Sequence, residues 1–186
     1  MAVRAVPASL AQLPNALTVG RLALIPLFVA MMLDADGAGS WTTAAVFALA
    51  GATDQIDGWL ARRWHVESAF GKFADPLADR LMIDAAVILL WRDGRLPWPA
   101  LAVILVRDGV LLLATPLALR RGYEFEVNFL GKTATWILYA SLVGVIASGE
   151  DTAWALVLFW AGVAVALAAA VQYVASAGRT MRGWKR

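Results

Sequence analysis

The 186 residues are 61% hydrophobic and only 16% charged, with a mean hydropathy of +0.67, which is too apolar for an ordinary soluble domain. There is no cysteine and one histidine, His65. That excludes a disulfide framework and thiol catalysis, argues against a histidine metal site or a Ser-His-Asp triad, and leaves oxygen as the ligand for any bound metal. The net charge of +2 says little as a sum, and no nucleic-acid partner is expected.

Residues 1–13 read as a short interfacial lead. No apolar signal-peptide core precedes Pro14, so the first span is expected to act as its own insertion signal. That span runs from Ala16 to Leu33, with Asn15, Thr18 and Arg21 at successive turns of its start. The acids and glycines of 34–40 form a turn, and a second run extends from Trp41 to about Ala61, apolar until Asp54. Arg62 to Lys72 is a polar, basic connector. The third run, about Phe73 to Trp91, turns purely apolar after Asp84. A turn at Arg92–Leu96 leads to the fourth, Trp98 to Leu119, with Pro97 or Pro99 suited to its first turn. Arg107 and Asp108 lie in its middle. After 120–127 the fifth run covers Asn128 to Ala147, with Lys132 near its start, and the sixth covers Ala153 to about Ala177. Residues 178–186 form a basic tail.

The pattern predicts one all-α membrane domain over 1–186 with six transmembrane helices and both termini on one side. That side holds Arg4, Arg62, Arg63, Lys72, Arg120, Arg121, Arg179, Arg182, Lys185 and Arg186, against Arg92 and Arg95 on the other. The positive-inside rule therefore places both termini in the cytoplasm. The composition and lead suit the plasma membrane of a bacterium.

Four carboxylates stand out: Asp54, Asp57, Asp75 and Asp79. Spacings of three and four put each pair on one helical face, at the cytoplasmic ends of spans two and three. On a helical wheel Gly58, Ala61 and Arg62 share the Asp54–Asp57 face; the small residues leave room for a bulky ligand, and Arg62 can meet phosphate as a planar fork. Asp84 points away from Asp75, and a pair with Arg80 at i, i+4 is the plain account of it. Four unpaired acids this close raise one another's pKa values unless cations neutralise them, which a two-metal centre suited to phosphoryl chemistry would do.

The pattern Asp54-x2-Asp57-Gly58-x2-Ala61-Arg62-x8-Gly71-x3-Asp75-x3-Asp79 resembles the signature of the CDP-alcohol phosphotransferase family at every position. The resemblance extends to six spans and to an Asn-x2-Thr-x2-Arg pattern matched by Asn15, Thr18 and Arg21. It implies transfer of a substituted phosphate from a CDP-linked donor to an alcohol, with release of CMP. It also implies two divalent cations, Mg²⁺ or Mn²⁺, on Asp54, Asp57, Asp75 and Asp79, with Asp79 as general base. Gly58, Ala61, Arg62 and Gly71 would accommodate the nucleotide, joined on the donor side by Asn15 and Thr18. A homodimer is implied as well.

For the acceptor, Arg107, Lys132 and Arg21 are candidate phosphate hooks. The plainer accounts are an internal ion pair for Arg107 and snorkelling for Lys132. Glycerol-phosphate acceptors in the family go with Arg-Glu in span four and Gly-Lys-x-Lys-Thr in span five. Here the residues are Arg107-Asp108 and Gly131-Lys132-Thr133-Ala134-Thr135. These departures resemble the cardiolipin-synthase branch, so CDP-diacylglycerol as donor and phosphatidylglycerol as acceptor are expected. Glycerol 3-phosphate is the alternative acceptor, which would make the chain a phosphatidylglycerophosphate synthase. A cation- or proton-coupled transporter would explain buried acids but not the glycine, alanine and arginine spacing.

Overall fold

The computed structural model describes residues 13–64, 69–120, 129–149 and 152–183. They form six helices and, among the described residues, no strand: α1 Leu13–Ala35, α2 Trp41–Trp64, α3 Ala69–Arg92, α4 Trp98–Arg120, α5 Phe129–Ser148 and α6 Ala153–Gly183. Three stretches are long and apolar enough to cross a membrane, Ala16–Ala35, Leu130–Ser148 and Ala153–Gln172. In α2 the apolar part stops at Thr53, where the motif begins.

The helix starts at Trp41, Trp98 and Ala153 agree with the sequence, whereas α1 and α3 begin three to four residues earlier than expected and helix ends run further. The expected connector Arg62–Lys72 shrinks to 65–68, because α2 continues to Trp64 and α3 begins at Ala69. The tail is likewise helical to Gly183. Hydropathy marks where a chain leaves an apolar medium, whereas Arg, Lys and Ala propagate a helix beyond that point. Pro26 also sits inside α1 without ending it, which a helix surrounded by other helices and lipid tolerates.

The loops 36–40 and 93–97 meet Gly149 and Thr152 at one end, termed here the loop end, where they line a common cavity of about 790 Å³. Left-handed backbone at Gly37, Gly94 and Gly149 makes the tight reversals. Ser40 caps α2 through its Oγ, which accepts from Thr43 N at 3.1 Å, while Ser40 N donates to Ile146 O at 3.0 Å. Arg95 donates through Nη2 to Val145 O, and burial pushes its guanidinium below the usual pKa against the opposing pull of Asp93. The connections fix the direction of every helix. The starts of α1, α3 and α5 and the ends of α2, α4 and α6 lie at the opposite, motif end.

The core links α1, α2 and α5 through stacked rings: Phe28 and Phe47 at 5.3 Å, Phe47 and Tyr139 at 5.2 Å. Met82, Leu90, Ile104, Leu142, Ile146 and Phe159 complete it. The most extensive helix pairing is α5 with α6, and α1 packs on both α2 and α3. By contrast α4 leans chiefly on α3 and touches α6 lightly. Large apolar side chains such as Leu49, Val106, Val157 and Val171 point outward on three different helices. In water such a surface would be an aggregation hazard; in lipid it is the natural exterior.

Candidate active site

The helices that carry the motif are adjacent and antiparallel. Asp54 stands 13 residues beyond Trp41, and Asp79 stands 12 residues before Trp91. At 1.5 Å per residue both lie about 18–20 Å along the axis from the loop end, with Asp57 and Asp75 one turn further at about 24 Å. The backbone thus sets the two pairs at matching levels. The side chains of Asp54, Asp57, Gly58, Ala61, Arg62, Gly71, Asp75, Asp79 and Asn15 lie outside the described residues. Among the described residues there is no cluster of three or more metal-ligating side chains.

Around this level the described residues show what frames the site. Thr18 and Arg21, one turn apart on α1, are each only 1% exposed, on the helix that packs against both motif-bearing helices. Arg21 is therefore a buried side chain rather than an open hook in this structure. Lys132 on α5 is exposed, as snorkelling would have it. Ala134, two residues on, is fully buried.

Arg80 departs from the local reading. Its Nη1 donates to Asp108 on α4, to the backbone oxygen at 3.1 Å and to Oδ1 at 3.3 Å. Asp84 does not account for Arg80 alone: it lies within electrostatic reach of Asp108, Arg80 and Arg107, and its Oδ1 is buried without a hydrogen-bond partner. Arg107 Nε lies 3.6 Å from the same Asp108 Oδ1. Two arginines and two aspartates thus gather between α3 and α4, one residue after Asp79. The i, i+4 rule picked Asp84 for Arg80 because it sees one helix, and the competing carboxylate is 28 residues away. Sequence reasoning overlooked Arg80 and Asp108 as a pair. The available signal was that both are charges deep within spans, where each needs a partner.

The CDP-alcohol phosphatidyltransferase family matches residues 11–170, most of the chain. The chain belongs to the CDP-alcohol phosphatidyltransferase family. It is 37% identical over 183 residues to a cardiolipin synthase (CMP-forming) of Streptomyces coelicolor, covering 91% of this chain and 84% of that protein. It is 35% identical to a probable phosphatidylglycerophosphate synthase of Mycobacterium tuberculosis, covering 95% and 86%. A CDP-diacylglycerol–glycerol-3-phosphate 3-phosphatidyltransferase of Bacillus subtilis is 36% identical over 137 residues, covering 67% and 70%. The chain is an enzyme, a CDP-alcohol phosphatidyltransferase, and the transporter reading has nothing left to explain.

Proposed function

We propose that this phosphatidyltransferase uses CDP-diacylglycerol as donor and phosphatidylglycerol as acceptor, forming cardiolipin and CMP. The observation that carries the choice of acceptor is Ala134. Gly51 on α2 meets Tyr139 on α5 so closely that a Cβ there would stand 2.6 Å from the ring. Counting back from that contact, Ala134 falls about 7.5 Å further toward the motif end, between the levels of Asp54 and Asp57. It is on the buried face of α5, while Lys132 is on the exposed one. At this level α5 turns a methyl group rather than a cation inward. A phosphodiester with one charge needs less positive potential than a phosphomonoester with nearly two. The Streptomyces relative's name points the same way. Glycerol 3-phosphate remains the second reading, since the Mycobacterium and Bacillus relatives carry names of that reaction.

In the mechanism the donor lies with its acyl chains in lipid and its diphosphate over α2 and α3. The donor set of Asp54, Asp57, Asp75 and Asp79 is all-carboxylate, which fits Mg²⁺ or Mn²⁺ and would hold two such ions. When bound, they would supply charge neutralisation for the diphosphate and for departing CMP. Gly58, Ala61 and Gly71 leave room for the cytidine moiety, and Arg62 orients phosphate, with Asn15 and Thr18 behind them. Asp79 accepts the proton of the acceptor hydroxyl. That oxygen forms the new bond to the phosphorus bearing diacylglycerol as the bond from that phosphorus to CMP breaks. Arg107, Lys132 and Arg21 serve the acceptor side, Arg21 from its buried place and Lys132 from the rim.

We further propose six spans, cytoplasmic termini and active site, a bacterial plasma membrane and a homodimer. Each helix has 20–31 residues, at least about 30 Å at 1.5 Å per residue. Trp41, Trp91, Trp98 and Trp154, all outward-facing, ring the loop end as an interfacial belt does. The motif end carries the basic residues. The dimer rests on the family resemblance.

The test is reconstitution in vesicles with CDP-diacylglycerol, Mg²⁺ or Mn²⁺, and phosphatidylglycerol or glycerol 3-phosphate in separate assays, with the lipid product identified by mass. Cardiolipin with CMP release is expected. A clear preference for glycerol 3-phosphate overturns the acceptor assignment.

A further inference from the structure

Of the charges between α3 and α4, the mechanism above uses Arg107 and leaves Arg80, Asp84 and Asp108 without a role. Asp108 is 2% exposed, yet it takes both ends of a clasp: Arg80 from α3 through two hydrogen bonds, and Arg107 from its own helix at 3.6 Å. That helix, α4, is the one with the least packing against the rest of the bundle. Between helices in lipid there is no hydrophobic drive to associate, so packing and polar ties decide where a helix sits. Arg80 adjoins Asp79 in sequence, and Arg107 adjoins Asp108. The clasp therefore holds two elements in one geometry: the helix bearing the base and the arginine offered to the acceptor.

We infer that Asp108 is a positioning residue for phosphatidyl transfer, anchoring α4 to α3 through Arg80 and thereby aiming Arg107 at the acceptor. The inference rests on the reading of Asp79 and Arg107 given above. Removing the carboxylate charge would let α4 shift and Arg107 swing, while leaving the donor's nucleotide contacts on α2 and α3 in place. Acceptor binding should therefore suffer before donor binding does. A shared anion also constrains Arg107 to a narrow arc, since its Nη1 is buried without another hydrogen-bond partner.

Two measurements on the full-length protein in vesicles test this. In the first, Asp108→Asn should raise the apparent KM for the acceptor at least tenfold and that for CDP-diacylglycerol less than twofold. Asp108→Glu should recover most of the loss, and Arg80→Gln should give the same split without adding to Asp108→Asn in the double variant. Unchanged acceptor KM, or an equal rise for both substrates, overturns the assignment. The second does not depend on activity. The chain has no cysteine, so spin labels at Leu49→Cys on α2 and Val106→Cys on α4 report the seating of α4. Their distance distribution should broaden in Asp108→Asn and sharpen again in Asp108→Glu; an unchanged distribution overturns the clasp. If the wild type releases no CMP with either acceptor, the functional reading fails while the label result still decides the clasp.

Discussion

At the loop end, the backbone of Gly39 lies against that of Gly149, Ser40 bonds across to Ile146, and Arg95 reaches Val145. From mid-span toward the motif end, the conspicuous features are charges within spans: Arg21, Arg80, Asp84, Arg107 and Asp108, with the four motif aspartates further along. The first region is held by close backbone contact, the second by ion pairs that would each be costly alone in lipid. The contrast divides labour along the helix axes. Rigidity at one end would let the other carry the mutually repelling acids that the proposed cations and substrate complete. Variants at the two ends should therefore fail in different ways.

The largest effect is expected at Asp79. Asp79→Asn keeps the volume and removes the base, so CMP release should fall by about 10²–10⁴. The melting temperature in detergent should not fall, because a repelling charge is lost. An Asp79→Asn enzyme with near-normal CMP release would remove the base assignment. Chelation should act on the same end alone: EDTA abolishes transfer and Mg²⁺ or Mn²⁺ restores it, while the helical circular-dichroism signal stays constant. Transfer that persists after exhaustive chelation would refute the divalent-ion requirement.

Gly39→Ala should show the opposite signature. A Cβ at Gly39 would stand 2.6 Å from the carbonyl oxygen of Ala147 and would also meet the backbone of Gly149. Neither obstacle is a side chain that can swing aside. Overpacking of this kind typically costs about 1–3 kcal/mol, read as a lower melting temperature with both KM values unchanged. Gly144→Ala sharpens the point, because its Cβ would meet chiefly the outer edge of the half-exposed Trp154 ring, which can move, with the Ala155 Cβ further off at 3.1 Å. A loss at Gly144 as large as at Gly39 would argue against backbone contact as the source of rigidity.

The two ends also differed in how far the sequence disclosed them. Helix starts at Trp41, Trp98 and Ala153 were legible because a turn or cap precedes an apolar run in each case. Ends were not, since Arg62 and Arg63 continue α2 past the apolar region, and α3 likewise begins at Ala69, ahead of its apolar run. The paired aspartates were legible because i, i+3 and i, i+4 spacings are properties of a single helix. Arg80–Asp108 was hidden because it depends on which helix lies alongside α3, and at what height. The burial of Arg21 was likewise hidden, because spacing gives the turn on which a side chain sits but not which helices close over it. The interlocked glycines of the loop end had no sequence signal beyond turn composition, because their closeness depends on three loops meeting.

The smallest effect expected is also the one that bears on the acceptor. Ala134→Lys would place a cation on the buried face of α5, between the levels of Asp54 and Asp57. A single added charge contact in a partly wet site is worth on the order of 0.2–1 kcal/mol, so the ratio of glycerol 3-phosphate to phosphatidylglycerol use should rise by up to about fivefold. The ratio is the right readout, because any loss of folded enzyme from burying a lysine lowers both activities equally. Lys132→Ala should move the ratio less, since that side chain already faces outward. If Lys132→Ala changes the ratio and Ala134→Lys does not, the acceptor is recognised from the exposed side of α5, and the argument from the buried methyl group fails.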